Sequence, residues 1–183
     1  MENSKIMDRM RVLHKNLADS RAILVDGIVS EQIGLEIESV IDVLSKSGDH
    51  ADIYVNSPGG SADAFIGIIK KMKSCGMTFT TMCLDVAGCG AMLLLAAGDR
   101  RVCLRKSSIS MFQPLWVKDP DKSNDDALMK AGAAIMRTKG EIESMFGEFT
   151  KKGSKSLSDE LFEARTITSS EALEAGIVDY VAG

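Results

Sequence analysis

Histidine is nearly missing from this chain, with only His14 and His50 among 183 residues. The four cysteines, Cys75, Cys83, Cys89 and Cys103, form no Cys-x-x-Cys pair and stand far from either histidine. That spacing argues against a zinc site, and no other residue pattern calls for a metal or a cofactor. The cysteines lie in or beside apolar segments, as expected of buried reduced thiols in a cytosolic compartment. Long apolar runs are missing too. The longest, Ala91 to Ala97, is far too short to cross a bilayer, and Met1-Glu2-Asn3-Ser4-Lys5 has none of the apolar core of a secretory signal. A cytoplasmic location with no membrane partner is the expectation. Basic residues number 22 against 26 acidic ones, and a net charge of −4 excludes the basic surface that nucleic acid requires.

What is present suits one soluble domain. Apolar residues make up 45% and charged residues 26%, and 183 residues are enough to bury a sizeable core. Ile6, Met10, Leu13 and Leu17 predict a short amphipathic helix over 5–17, and residues 21–28 read as a buried strand. Ser30 is placed to cap a helix whose stripe is Ile33, Ile37, Val40, Ile41 and Leu44. A turn at 48–50 leads to a strand over 51–56, and a helix follows with Phe65, Ile68, Ile69 and Met72 inward. Further strands are predicted at 77–84, 101–104 and 108–112, with a short buried helix over 89–97. Residues 115–126 read as a loop around Pro120. Asn124 or Asp125 then caps a long helix to about 152, striped by Leu128, Ile135, Ile142, Met145, Phe146 and Phe149. Thr168 and Glu171 form a capping box for a last helix that ends at Gly176, before a closing strand over 177–181. This alternation predicts an α/β fold with largely parallel strands joined by right-handed crossovers.

Three landmarks carry chemistry. Asn56-Ser57-Pro58-Gly59-Gly60 reads as a turn between strand and helix, where glycines let backbone approach a ligand and a helix start offers N–H groups. Ala87-Gly88-Cys89-Gly90-Ala91 opens a short apolar helix that runs to Gly98, and Met111-Phe112-Gln113-Pro114 follows. As an ordered set, spanning about residues 8 to 181, these resemble the Clp protease proteolytic subunit, ClpP, a serine peptidase. The ClpP/crotonase-like fold that this implies has repeated ββα units and a long handle helix. A single domain over 1–183 would divide into a head, about 1–121 plus 153–183, and a handle, about 122–152. The resemblance implies an oxyanion hole built from Gly60 and the N–H of Gly90.

By the same resemblance the catalytic serine, histidine and aspartate positions fall at Cys89, Phe112 and Ala164. A one-residue slip would put Gly88 in place of Cys89, but it needs an insertion inside a buried helix. A cysteine at a helix start has a setting that favours a thiolate, yet it still needs a base, and a phenyl ring neither accepts nor donates a proton. Cys89 therefore reads as an inert small thiol ahead of a modifiable one or a nucleophile. Asp159, Glu160 and Glu163 read as solvated helix charges rather than a displaced triad carboxylate. With three members gone, the expectation is a pseudopeptidase, closest to the ClpR-type subunits with incomplete triads. The resemblance further implies rings of seven, stacked as a tetradecamer, formed with itself or with ClpP-type subunits, and a Clp AAA+ ATPase as partner. The few residues ahead of the first helix argue against that last partner. Where the family has glycines after His-Gln-Pro, Leu115 to Pro120 stand here, with Trp116 either a ring contact or an obstruction of the peptide groove. Two rival readings are a weak peptidase that uses Cys89 and a crotonase-like acyl-CoA binder.

Overall fold

The computed structural model describes residues 19–111, 125–150 and 165–183. In chain order the described elements are β1 (Ala22–Val29), α1 (Glu31–Ser45), β2 (His50–Gly60), α2 (Ala62–Ser74), β3 (Thr78–Gly88) and α3 (Gly90–Ala96). There follow β4 (Arg100–Leu104), β5 (Ser108–Met111), α4 (Asp125–Phe149), β6 (Arg165–Thr168), α5 (Ser169–Glu174) and β7 (Tyr180–Ala182). The strands form one sheet in the order β1-β2-β3-β4-β7, all parallel, with β5 branching from β3 and carrying β6 antiparallel at its side. This is the α/β architecture with largely parallel strands that the alternation predicts. The branch arises because β3 divides its partners: residues 80–83 pair with β4 and residues 86–88 with β5.

Period-two burial explains the sheet's inner face. Ala51, Ile53 and Val55 of β2 and Phe79, Thr81 and Cys83 of β3 are buried, while the residues between them are partly or fully exposed. The helices close this face with the stripes that their sequences show. Ile37, Ile41 and Leu44 of α1 and Phe65, Ile68, Ile69 and Met72 of α2 join one core, though Ile33 lies outside it. Ser30 caps α1 by accepting from the N–H of Ile33 at 3.3 Å, and Ser61 caps α2 through Ala64 at 3.4 Å. The two helices pack so closely that a Cβ on Gly34 would lie 2.7 Å from that of Ala64. The predicted capping box at Thr168 and Glu171 is present; the Thr168 N–H holds the Glu171 carboxyl below its ordinary range.

Several boundaries differ from expectation. β2 runs on to Gly60 rather than turning at 56–60, because glycine dihedrals keep this stretch in the ladder with β1. β6 is a strand that the sequence reading omits, β-branched at Thr166, Ile167 and Thr168, and too short at four residues for a periodic signal. The closing strand covers only Tyr180–Ala182, since Ile177 and Val178 are spent on the turn from α5. The helix α4 forms as predicted, and within one chain its stripe is buried only towards its end: Phe146 is 2% exposed, whereas Leu128 is 49% exposed. The predicted helix at 5–17, the loop at 115–126 (all but its last two residues) and a break expected over 151–156, after the long helix, lie outside the described residues.

All four cysteines are unbridged thiols, and only Cys83 and Cys103 are fully buried; Cys75 and Cys89 are half-buried. Cys83 and Cys103 face each other in register across β3 and β4. Burial pushes the Cys83 thiol up from 9.0 to about 11, and burial shifts Cys103 upward too. The folded state thus favours a protonated Cys83, so its contribution is complete below pH 9.0 and is lost as pH rises towards about 11. Denaturant titrations over that range should show stability falling, by at most about 1.4 kcal/mol per pH unit from this group. Cys83→Ala should fall less steeply, and an identical slope in that variant would contradict the assignment.

Candidate functional site

The geometry at Cys89 is set by two strands that end together against a short helix. β3 stops at Gly88, and α3 starts at Gly90 with its six remaining residues, Ala91 to Ala96, all buried. Cys89 makes the junction with φ 49° and ψ −117°, a conformation that non-glycine residues rarely adopt. It is held there at both ends: its N–H donates to the Ser110 carbonyl at 2.9 Å, and its carbonyl accepts from Met92 and Leu93 at 3.1 and 3.3 Å. A strained, half-buried residue on a sharp strand-to-helix turn is the arrangement used to present a nucleophile above a parallel sheet.

The facing wall is the end of β2. Against β1 the register passes from Asp26↔Asn56 to Ile28↔Gly59, so Ser57 and Pro58 oppose Gly27 alone, a bulge that bends β2. Against β3 it passes from Val55↔Cys83 to Ser57↔Ala87, leaving three β3 residues opposite Asn56. Side chains fill the mismatched positions. Asn56 donates to Asp26 at 2.7 Å and accepts from the Val86 N–H at 3.4 Å, tying three strands. The buried Ser57 hydroxyl donates to the Gly27 carbonyl at 2.5 Å and accepts from the Gly59 N–H at 3.0 Å.

Glycine is required at four places here, at three because backbone meets backbone and at Gly90 because a ring lies against it. A Cβ on Gly60 (φ +152°) would lie 2.1 Å from the Val29 carbonyl oxygen, and one on Gly88 would lie 2.5 Å from that of Pro58. One on Gly59 (φ +112°) would lie 2.9 Å from the Gly88 oxygen and 3.0 Å from the Cβ of Cys89. Gly90 is pressed onto the ring of Phe65, where a Cβ would have 2.2 Å. The strand β2 and the Cys89 turn are therefore in direct contact.

β5 and β6 lead to the other two candidate positions. Their antiparallel register pairs Ser110 with Thr166 and Met111 with Arg165, and the Ser110 and Thr166 hydroxyls are 3.2 Å apart. Met111 precedes Phe112, and Arg165 follows Ala164, so the ladder brings the flanks of both positions together, beside the strand that ends at Gly88. Phe112 and Ala164 themselves lie outside the described residues, as do Trp116, Asp159, Glu160 and Glu163. His50 is remote from this end: it sits at the start of β2, its ring 3.2 Å from Asp52 and 3.1 Å from Thr78. Among the described residues no group of three or more His, Cys, Asp or Glu could hold a metal.

Sequence reasoning passed over Asp26, Asn56 and Ser57 as positioning residues and Ser110 as the anchor of Cys89. The Asn-Ser pair of the first landmark was the available signal; the partners Asp26 and Ser110 come from the register, which one strand's sequence does not carry. Gly60→Ala should cost more than about 2 kcal/mol, through strain and clash with β1. Gly132→Ala in α4, where a Cβ meets nothing within 4 Å, should stabilise by about 0.5–1 kcal/mol through helix propensity. Denaturation midpoints of the two variants check the contrast, and equal effects would contradict the contact.

Comparison with known proteins agrees with this geometry. Residues 5–183 match the model of the family described as Clp protease. The chain is 31% identical over 172 residues to the ATP-dependent Clp protease proteolytic subunit 1 of Corynebacterium glutamicum, covering 92% of this chain and 82% of that one. It is 28% identical over 185 residues to the protein of the same description from Bacillus cereus, covering 99% and 94%. Similarity extends to the ATP-dependent Clp protease proteolytic subunit of Chlorella vulgaris, at 30% over 132 residues. Together with a parallel α/β sheet whose Gly-Gly strand faces a strained turn, these matches show that the chain belongs to the Clp protease family.

Proposed function

We propose that this chain is a non-catalytic ring subunit of a Clp protease, of the ClpR-like kind, working in the cytoplasm. In this reading Cys89, Phe112 and Ala164 occupy the serine, histidine and aspartate positions, and Gly60 and Gly90 keep the backbone donors of the oxyanion hole. The single observation that carries it is the strained turn at Cys89, tied at Ser110 to β5, whose last residue, Met111, precedes Phe112 in sequence. At the place where proton transfer is needed stands a phenyl ring, which cannot perform it. Loss of a triad member costs several orders of magnitude, and here all three positions carry other residues. The chain folds as one domain, a head of about 1–121 plus 153–183 and a handle of about 122–152. It assembles into heptameric rings stacked as a tetradecamer, alone or with active ClpP-type subunits, through repeated identical interfaces. Exposed Leu128, Met129 and Met136 on the handle support a role for that helix in assembly.

A second reading, a weak peptidase with Cys89 as nucleophile, is favoured by the same strained turn and by the partial exposure of Cys89. One experiment separates the two: the mass of the intact assembly together with a fluorogenic-peptide assay, with and without an active ClpP-type subunit. The expected result is ring-sized species, no hydrolysis by the pure chain, and altered hydrolysis in mixed rings. Hydrolysis by the pure chain that Cys89→Ala abolishes would replace the first reading with the second. A monomer that neither cleaves peptide nor joins the active subunit would refute both.

A further inference from the structure

Helix α4 is about 37 Å long at 1.5 Å per residue, yet only its last third meets the core. Phe146 is buried there and Ile142, Met145 and Phe149 pack against the core, whereas Leu128, Met129 and Met136 stand in solvent. A long lever attached at one end depends on what holds its root. Polar ties at the root are few among the described residues. Lys70 meets Glu141 at 3.0 Å, but both side chains are about half exposed, and such pairs contribute little. Lys73 stacks over the Phe149 ring at 5.1 Å, and the Thr150 hydroxyl donates back into its own helix, to the Phe146 carbonyl at 2.7 Å.

Arg101 is of another kind. Its side chain is 13% exposed, and its guanidinium serves two chain segments at once, the end of α4 and the turn between α5 and β7. Nη1 donates to the Phe149 carbonyl, at the last residue of α4, at 2.6 Å and to the Gly176 carbonyl at 2.9 Å. Nε and Nη2 form a fork onto Asp179, at 3.0 and 2.6 Å. The backbone reinforces the pair: the Arg101 N–H donates to the Asp179 carboxylate at 3.0 Å, and the Asp179 N–H donates to the Arg101 carbonyl at 2.8 Å. The terminal carbonyls of a helix have no partner within it and favour a cation, so Arg101 caps α4 while Asp179 offsets its buried charge.

We propose that Arg101, oriented by Asp179, is the lock that sets the handle helix on the head sheet. Its grip on Asp179 and Gly176 belongs to the head, and its grip on Phe149 is the only one of the three that a swing of the handle must break. The lock thus has two states, with the Phe149 carbonyl held or released, while the head keeps its fold in both. Lysine cannot reproduce it, because a single ammonium lacks the planar fork that reaches both carbonyls and both carboxylate oxygens.

Hydrogen exchange followed by mass spectrometry on the full chain tests the proposal, with Arg101→Lys and Asp179→Asn compared with the parent. The expected result is exchange about tenfold faster or more over the last two turns of α4 in Arg101→Lys, with β2 and β3 unchanged. Asp179→Asn, which keeps the shape but loses the charge, should loosen the same turns to a smaller degree. Unchanged protection of α4 in both variants would overturn the proposal. So would equal acceleration across β2, β3 and α4, or failure of both variants to fold, since either would make the pair an ordinary stabiliser of the head.

Discussion

The end of β2 lies directly on the turn between β3 and α3, main chain against main chain, and the rest of the molecule is arranged around that contact. No Cβ fits on Gly59, Gly60 or Gly88, because the atoms opposite are carbonyl oxygens of Gly88, Val29 and Pro58. Backbone cannot move aside as a flexible side chain can. The bulge in β2, the unequal lengths of β2 and β3 between paired residues, and the positive φ of Cys89 all follow from closing that gap. Polar groups left by the mismatched ladders are taken up by Asn56 and Ser57, so strain at the turn is not accompanied by unpaired buried side-chain polar atoms among the described residues.

Strain of this sort persists only where its surroundings over-determine it. Around Cys89 they do. Helix α3 is buried along its apolar length, Ser110 fixes the Cys89 N–H, and Phe65 presses on Gly90. A chain that had lost all use for this turn could relax it by replacing any one of these residues. The turn at Cys89 is thus held by its neighbours on every side, and its backbone is the part of the proposed function that the structure supports. The Arg101 lock is the corresponding tie at the other end of the sheet, where the last residue of α4 meets the α5–β7 turn.

The fold was legible wherever a residue's own neighbours determine its state. The stripe of α2, that of α1 apart from Ile33, the caps at Ser30 and Thr168, and the C-terminal Gly176 are local signals, and the structure bears them out. Positions decided by distant segments were not. Gly59-Gly60 reads as a turn from sequence, but its dihedrals serve a strand that leans on Val29 and on Gly88. β6 exists because Ser108 to Met111 offer it a partner, and four residues alone carry no period to announce it. Within one chain the apolar stripe of α4 is buried only at the root, and the sequence alone does not say which part of a stripe its own domain covers. At the site, the resemblance to ClpP points to Cys89, the residue that proves strained, while Asp26 and Ser110 become visible only through the register. Arg101 was invisible for the same reason: its partners lie 48, 75 and 78 residues away.

The central claim is that the peptidase backbone persists and only its proton-handling side chains are gone. Rebuilding those side chains is the most direct test: Cys89→Ser, Phe112→His and Ala164→Asp in one chain, assayed on a fluorogenic peptide as an assembled species. The account predicts hydrolysis well above that of the parent, which disappears when Ser is not introduced at position 89. A folded, assembled triple variant that cleaves no faster than the parent would contradict it.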